Sequence, residues 1–144
     1  MIYFFDSSAL VKRYFAEAGS DVVRRLLASP RRRAASSLAL VEVPAALRRK
    51  ERNGDIDAAH VVAVVSRLAA DMDAFLLVDI RPPVIDRAAA LVMSYTLRAY
   101  DAIQLSSALH IGVVSREPVT FVCTDAELRA AAVGQGLRVL PSRR

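Results

Sequence analysis

Apolar residues in this chain follow two rhythms. Short continuous runs occur at Ile2–Phe5 ("IYFF"), 74–80 ("AFLLVDI"), 119–123 ("VTFVC") and 137–140 ("LRVL"). They are rich in β-branched and aromatic residues and too short for helices, which predicts strands buried on both faces. Elsewhere the apolar positions recur every three to four residues. That spacing predicts a helix over 9–16 broken at Gly19, and a second one capped by Ser20, carrying Val22, Val23, Leu26 and Leu27 and ending before Pro30. "RRRAAS" reads as a basic connection with room for a short strand at its end. Ser36 or Ser37 opens a long helix that stops at Asn53-Gly54. Pro44 lies inside it, removes one backbone hydrogen bond and predicts a kink. Asp55 is expected to cap a helix over 56–72 whose valines fall on more than one face. Pro82-Pro83 opens a helix to about Tyr95, "YDAIQLSSALHIGV" forms another, and Asp125 opens a last one closed by Gly134 and Gly136. Strands separated by helices imply right-handed crossovers. The expected fold is α/β: one domain over residues 1–144, with a central, mostly parallel sheet flanked by helices on both faces.

Composition narrows the class. The chain has 144 residues, 54% of them hydrophobic, enough to bury a core without staples. Its single cysteine, Cys123, forms no internal disulfide and reads as a small buried hydrophobe. No basic leader precedes Asp6, and no apolar run approaches the roughly 20 residues that cross a bilayer. The reading is a soluble cytoplasmic protein with no membrane role. Twenty Lys and Arg against fifteen Asp and Glu leave a net charge of +5, and only Lys12 and Lys50 are lysines. Arginine offers phosphate a planar fork of donors, so nucleic acid enters as a partner class.

Against that basic background, four acids sit where acids should not. Asp6 ends the first strand and Asp125 follows the "FVC" strand, both at the start of a helix. Open α/β sheets bind ligands beyond those strand ends. Glu42 interrupts "SSLALVEVPAAL", and Asp101 interrupts "LRAYDAIQLSSAL" on a face shared with Leu97, Leu105 and Ala108. Singly, each has an ordinary explanation as a helix cap or an arginine partner. Gathered together they repel, by about 4 kcal/mol per pair at 4 Å and an effective dielectric of 20. An all-oxygen carboxylate set that needs a positive charge suits Mg²⁺ or Mn²⁺. Zinc does not fit, because neither His60 nor His110 has ligand spacing to the other or to Cys123.

"FFDSSALVK", "SSLALVEVPAALRR", "LRAYDAIQLSSAL" and "FVCTDAELRAAA" resemble the successive acidic motifs of PIN-domain nucleases. Spacing, length and the closing "GLRVL" are most similar to the VapC-type toxins of bacterial toxin–antitoxin systems. The likeness runs over essentially the whole chain. It implies a Mg²⁺- or Mn²⁺-dependent endoribonuclease inhibited by a cognate antitoxin, with Asp6, Glu42, Asp101 and Asp125 as the catalytic acids. Asp6, Asp101 and Asp125 would hold the metal, and Glu42 would bind through water or orient the attacking water. Glu127 competes with Asp125 for the fourth place. The family hydroxyl after the first acid falls on Ser7. Basic residues near the acids, Lys12, Arg13 and Arg49, are the expected RNA contacts. The valine-rich helix over 56–72 suggests a homodimer. The competing reading from another class is a catalytically silent PIN-like module that binds RNA or protein. Two phosphate-chemistry alternatives fail at once: position 8 is Ser where a haloacid-dehalogenase phosphatase needs a second Asp, and the five glycines form no phosphate loop.

Overall fold

A computed structural model describes residues 1–142. Its elements run β1 (Ile2–Phe5), α1 (Ser7–Tyr14), α2 (Ser20–Ala28), β2 (Arg32–Ser36), α3 (Ala39–Arg52), α4 (Ala58–Met72), β3 (Leu76–Val78), α5 (Pro82–Ser94), α6 (Ala99–Ser115), β4 (Val119–Val122), α7 (Ala126–Gly134) and β5 (Arg138–Leu140). The five strands form one sheet in the order β3-β2-β1-β4-β5, and every pairing is parallel. The α/β expectation holds, with helices on both faces.

Alternation along β1 divides the core. Phe5 turns to one face and joins Ala9, Leu10, Val43, Val64 and Leu68 from the layer formed by α1 to α4. Ile2 and Phe4 turn to the other and join Phe121 of β4 and Val84, Leu105 and Leu128 from the layer formed by α5 to α7. Period-two alternation in a central strand thus serves two cores at once. Phe4 and Phe121 stack across adjacent strands with centroids 5.8 Å apart.

The order of connection positions the site. From β1 the chain steps outward through β2 and β3, then returns to the other side of β1 with β4. The helix after β1 packs in one layer and the helix after β4 in the other. The crevice between the ends of β1 and β4 is therefore a topological switch point, where open α/β sheets take ligands.

Several boundaries differ from the sequence expectation. "RRRAAS" is mostly strand, as β2 lies between β1 and β3 and pairs with both. The first helix starts at Ser7, two residues early, because Asp6 caps it directly. Gly19, at φ 89°, stands at the N-cap of α2 in place of Ser20. Asp57 rather than Asp55 caps α4, accepting from the His60 N–H at 2.8 Å. Gly134 lies inside α7, with Gln135 as its C-cap. As expected of a proline that does not break its helix, α3 runs on through Pro44.

Candidate active site

Each acid reaches the crevice by a different route. Asp6 follows β1, caps α1 and is 3% exposed. One of its oxygens accepts from the Ala9 N–H at 2.8 Å, and both accept from the Ser8 hydroxyl. Asp125 follows β4 and caps α7 through the Leu128 N–H at 2.9 Å. Glu42 projects from the first turn of α3, and Asp101 from the first turn of α6. All four line one cleft of about 900 Å³. Ser7, Lys12 and Arg49 line it too, whereas Arg13 and Glu127 are not among its lining residues.

Burial, opposed by the Ala9 and Ser8 hydrogen bonds and reinforced by the Asp101 charge, pushes the Asp6 carboxyl up to about 6. The neighbouring Cys123 thiol is pushed well above its ordinary range by its own burial and then by the Asp6 charge, so it stays protonated.

The expected three-carboxylate cage is not assembled. Among the described residues no group of three His, Cys, Asp or Glu side chains is arranged to hold an ion as it stands. The oxygens are engaged locally instead: Asp6 with Ser8 and Ala9, Asp125 with Leu128, and Asp101 with the Arg98 Nε–H at 3.0 Å. The Arg98 head is largely exposed, so that pair is weak and can exchange for another cation. The donor set nonetheless suits a hard divalent ion. All four acids offer oxygen to the same cleft, and Mg²⁺ takes one or two carboxylates while keeping several waters.

The basic side chains divide into two kinds. Lys12 is nearly buried; its ammonium donates to Glu17 at 3.0 Å and to the Ala18 carbonyl at 2.9 Å. Lys50 donates to the other Glu17 oxygen and lies 3.8 Å over the Phe15 ring. Burial raises the Glu17 carboxyl, but the two lysines outweigh it and hold the group below its ordinary value. Gly19 belongs to the same knot. Its left-handed backbone makes the turn beside Lys12, and a Cβ there would lie 3.6 Å from the lysine stem. Arg13 is turned toward Asp71, 3.8 Å away, and packs on Tyr14. Arg49 is exposed and makes no ion pair among the described residues.

Two contributors escape a sequence reading. Arg98 meets Asp101 across one helical turn, a spacing legible in principle. Gln104, three residues after Asp101, is buried and donates to both Ser7 and Glu42. An amide within an apolar helix gives no sequence sign of which way it points.

Comparison with known proteins agrees with the fold and places the chain in a family. The family model described as "PIN domain" matches residues 3–133. Ribonuclease VapC45 of Mycobacterium tuberculosis (strain CDC 1551 / Oshkosh) is 31% identical over 143 residues, covering 99% of this chain and 96% of that protein. Ribonuclease VapC46 of Mycobacterium tuberculosis (strain ATCC 25618 / H37Rv) is 34% identical over 137 residues, 95% of each. A toxin–antitoxin complex from Klebsiella pneumoniae contains a chain of similar fold, with a TM-score of 0.64 at 19% identity, covering 96% of this chain and 95% of that one.

Proposed function

This chain belongs to the PIN-domain family, among its VapC-type members, and on that premise we propose that it is a divalent-metal-dependent endoribonuclease of a toxin–antitoxin pair. One observation carries the reading: four carboxylates drawn from four separate elements line a single cleft in a basic chain. Its relatives of similar length bear the name ribonuclease.

In the proposed mechanism Asp6 and Asp101 hold Mg²⁺ or Mn²⁺, and Asp125 completes or extends the ligand set. When bound, the ion neutralises a phosphate oxygen and supplies Lewis acidity at the scissile phosphodiester. Glu42, a half-buried carboxylate facing the cleft, joins the ion's outer shell through water and takes the proton of the attacking water. Ser8 and Ala9 fix the Asp6 carboxylate by hydrogen bonds, so its aim is set before substrate arrives. Arg49 meets the RNA backbone from the end of α3, while Lys12 and Lys50 shape that wall through Glu17. The water oxygen bonds to phosphorus as the P–O3′ bond breaks, and the leaving 3′-oxygen takes a proton from solvent, giving a 5′-phosphate and a 3′-hydroxyl.

The inhibitory partner is a small antitoxin that sets a basic or aromatic residue near the acids. The toxin–antitoxin complex from Klebsiella pneumoniae, a structural neighbour, supports an antitoxin as partner. The protein acts in the cytoplasm, and no helix among the described residues is long and apolar enough to cross a membrane.

Asp6→Asn and Asp101→Asn should each abolish cleavage of a panel of structured RNAs while the protein stays folded. EDTA should abolish wild-type cleavage. Persistence in EDTA would sink the metal mechanism, and no cleavage of any RNA would favour a silent binding module.

A further inference from the structure

Gln104 sits on α6 among buried apolar positions, Ala102, Leu105 and Ala108. An unbranched apolar side chain would fill its place without bringing in an amide that must be satisfied. Instead the amide is 2% exposed and only half satisfied. Its Nε2 donates to Ser7 Oγ at 2.7 Å and to Glu42 Oε1 at 2.6 Å. Ser7 donates its own proton to the same Glu42 oxygen at 2.9 Å. The three side chains form a closed triangle in which every proton has an acceptor. The other end of the amide, Oε1, is buried with no partner among the described residues.

That asymmetry fixes the orientation. Turning the amide over would set its carbonyl oxygen against the Glu42 carboxylate, two acceptors face to face. Glu42 therefore holds the N–H end toward itself, and an unpaired carbonyl is tolerated at the far end despite its desolvation. Nothing in the packing of α6 asks for this. The gain falls on Glu42, a long side chain in the first turn of α3. Its Oε1 is taken by two donors, while Oε2 accepts no hydrogen bond among the described residues.

We propose that Gln104 is a positioning residue for Glu42: with Ser7 it pins one carboxylate oxygen so that the other is presented to the cleft at a fixed place. The bridge also joins the two layers of the fold, since Gln104 belongs to α6 and its partners to α1 and α3. This inference rests on the function proposed above, because it assigns Glu42 the aim that Gln104 maintains.

A double-mutant cycle tests it, using wild type, Gln104→Met, Glu42→Ala and the double variant. Cleavage is followed with whichever RNA wild type cleaves best from a structured panel, and Mn²⁺ binding is followed by titration calorimetry. Gln104→Met should lower kcat by about 10- to 100-fold with the KM for RNA nearly unchanged, and weaken Mn²⁺ binding by about tenfold. In the Glu42→Ala background the same substitution should change either quantity by no more than about twofold. Equal losses in both backgrounds, or no loss in either, would overturn the proposal. Wild type that binds Mn²⁺ but cleaves no RNA would instead sink the endoribonuclease reading. The calorimetric cycle then decides alone, coupled losses supporting the role of Gln104 and additive ones removing it. Wild type that binds no Mn²⁺ removes both.

Discussion

Asp6 caps α1 and faces the cleft, and the two duties pull its proton in opposite directions. The Ala9 and Ser8 hydrogen bonds favour the charged form, while burial opposes it and prevails, raising the group from 3.8 to about 6. The folded chain then keeps the proton over a window in which the unfolded chain has released it. The stabilising contribution is full below about pH 4 and is lost as pH rises through about 6. On the order of 3 kcal/mol is at stake, at about 1.4 kcal/mol per pKa unit. Asparagine caps helices as well as aspartate does. Urea unfolding of metal-free Asp6→Asn should therefore show none of this decline and exceed wild type at pH 7; parallel pH curves would show that Asp6 is not the titrating group. A second contrast concerns the basic residues. Arg49→Ala should weaken RNA binding and reduce the salt slope of log K by about 0.7, one single-strand phosphate contact. Lys12→Ala should chiefly lower the melting temperature, since Lys12 is committed to Glu17 and Ala18. The four acids were legible singly because each broke an apolar context. Gln104 was not, because its meaning lies in partners 62 and 97 residues away.

Element boundaries were legible where local chemistry alone decides them. The aromatic run of β1, the helix-opening prolines of α5 and the caps at Asp6 and Asp125 are of that kind. β2 is the opposite case. Arg32, Arg33, Ala34, Ala35 and Ser36 have no strand preference of their own; they are strand because two neighbours supply hydrogen-bonding partners on both sides. Near α4, "NGDID" offers two aspartates of equal chemistry, and only the chain direction into the helix selects Asp57. The end of α7 shows tertiary context overriding local rules again. A Cβ on Gly134 would meet the Tyr95 hydroxyl at 2.5 Å, so the glycine admits the tyrosine, whose oxygen accepts from Gln135. Alanine is the better helix former by about 1 kcal/mol, but crowding typically costs 1–3 kcal/mol, each roughly. Gly134→Ala should thus destabilise the wild type by about 1 kcal/mol and stabilise a Tyr95→Leu background. Denaturant midpoints of the four proteins decide it, and the same sign in both backgrounds would remove Tyr95 as the cause.

At the scale of the molecule, apolar side chains remain uncovered outside the cleft. Val62 of α4, Met93 of α5 and Val113 of α6 are 64%, 87% and 66% exposed. Light scattering at micromolar concentration should return twice the 15.7 kDa chain mass, and a single species at 15.7 kDa would refute the expected homodimer. The sheet order has a consequence for timing. β1 is the first strand to be synthesised, yet it is flanked on both sides only when β4 arrives, with Ile2 beside Val119 and Phe5 beside Val122. The backbone N–H of Asp6 is held by the Val122 carbonyl, and Asp125 follows that same strand. A chain released before residue 125 has at most three of the four acids, and one released before residue 122 also lacks the carbonyl that holds the Asp6 backbone N–H. Under the proposed function, a chain cut short of Asp125 has no complete acid set and is not an active nuclease.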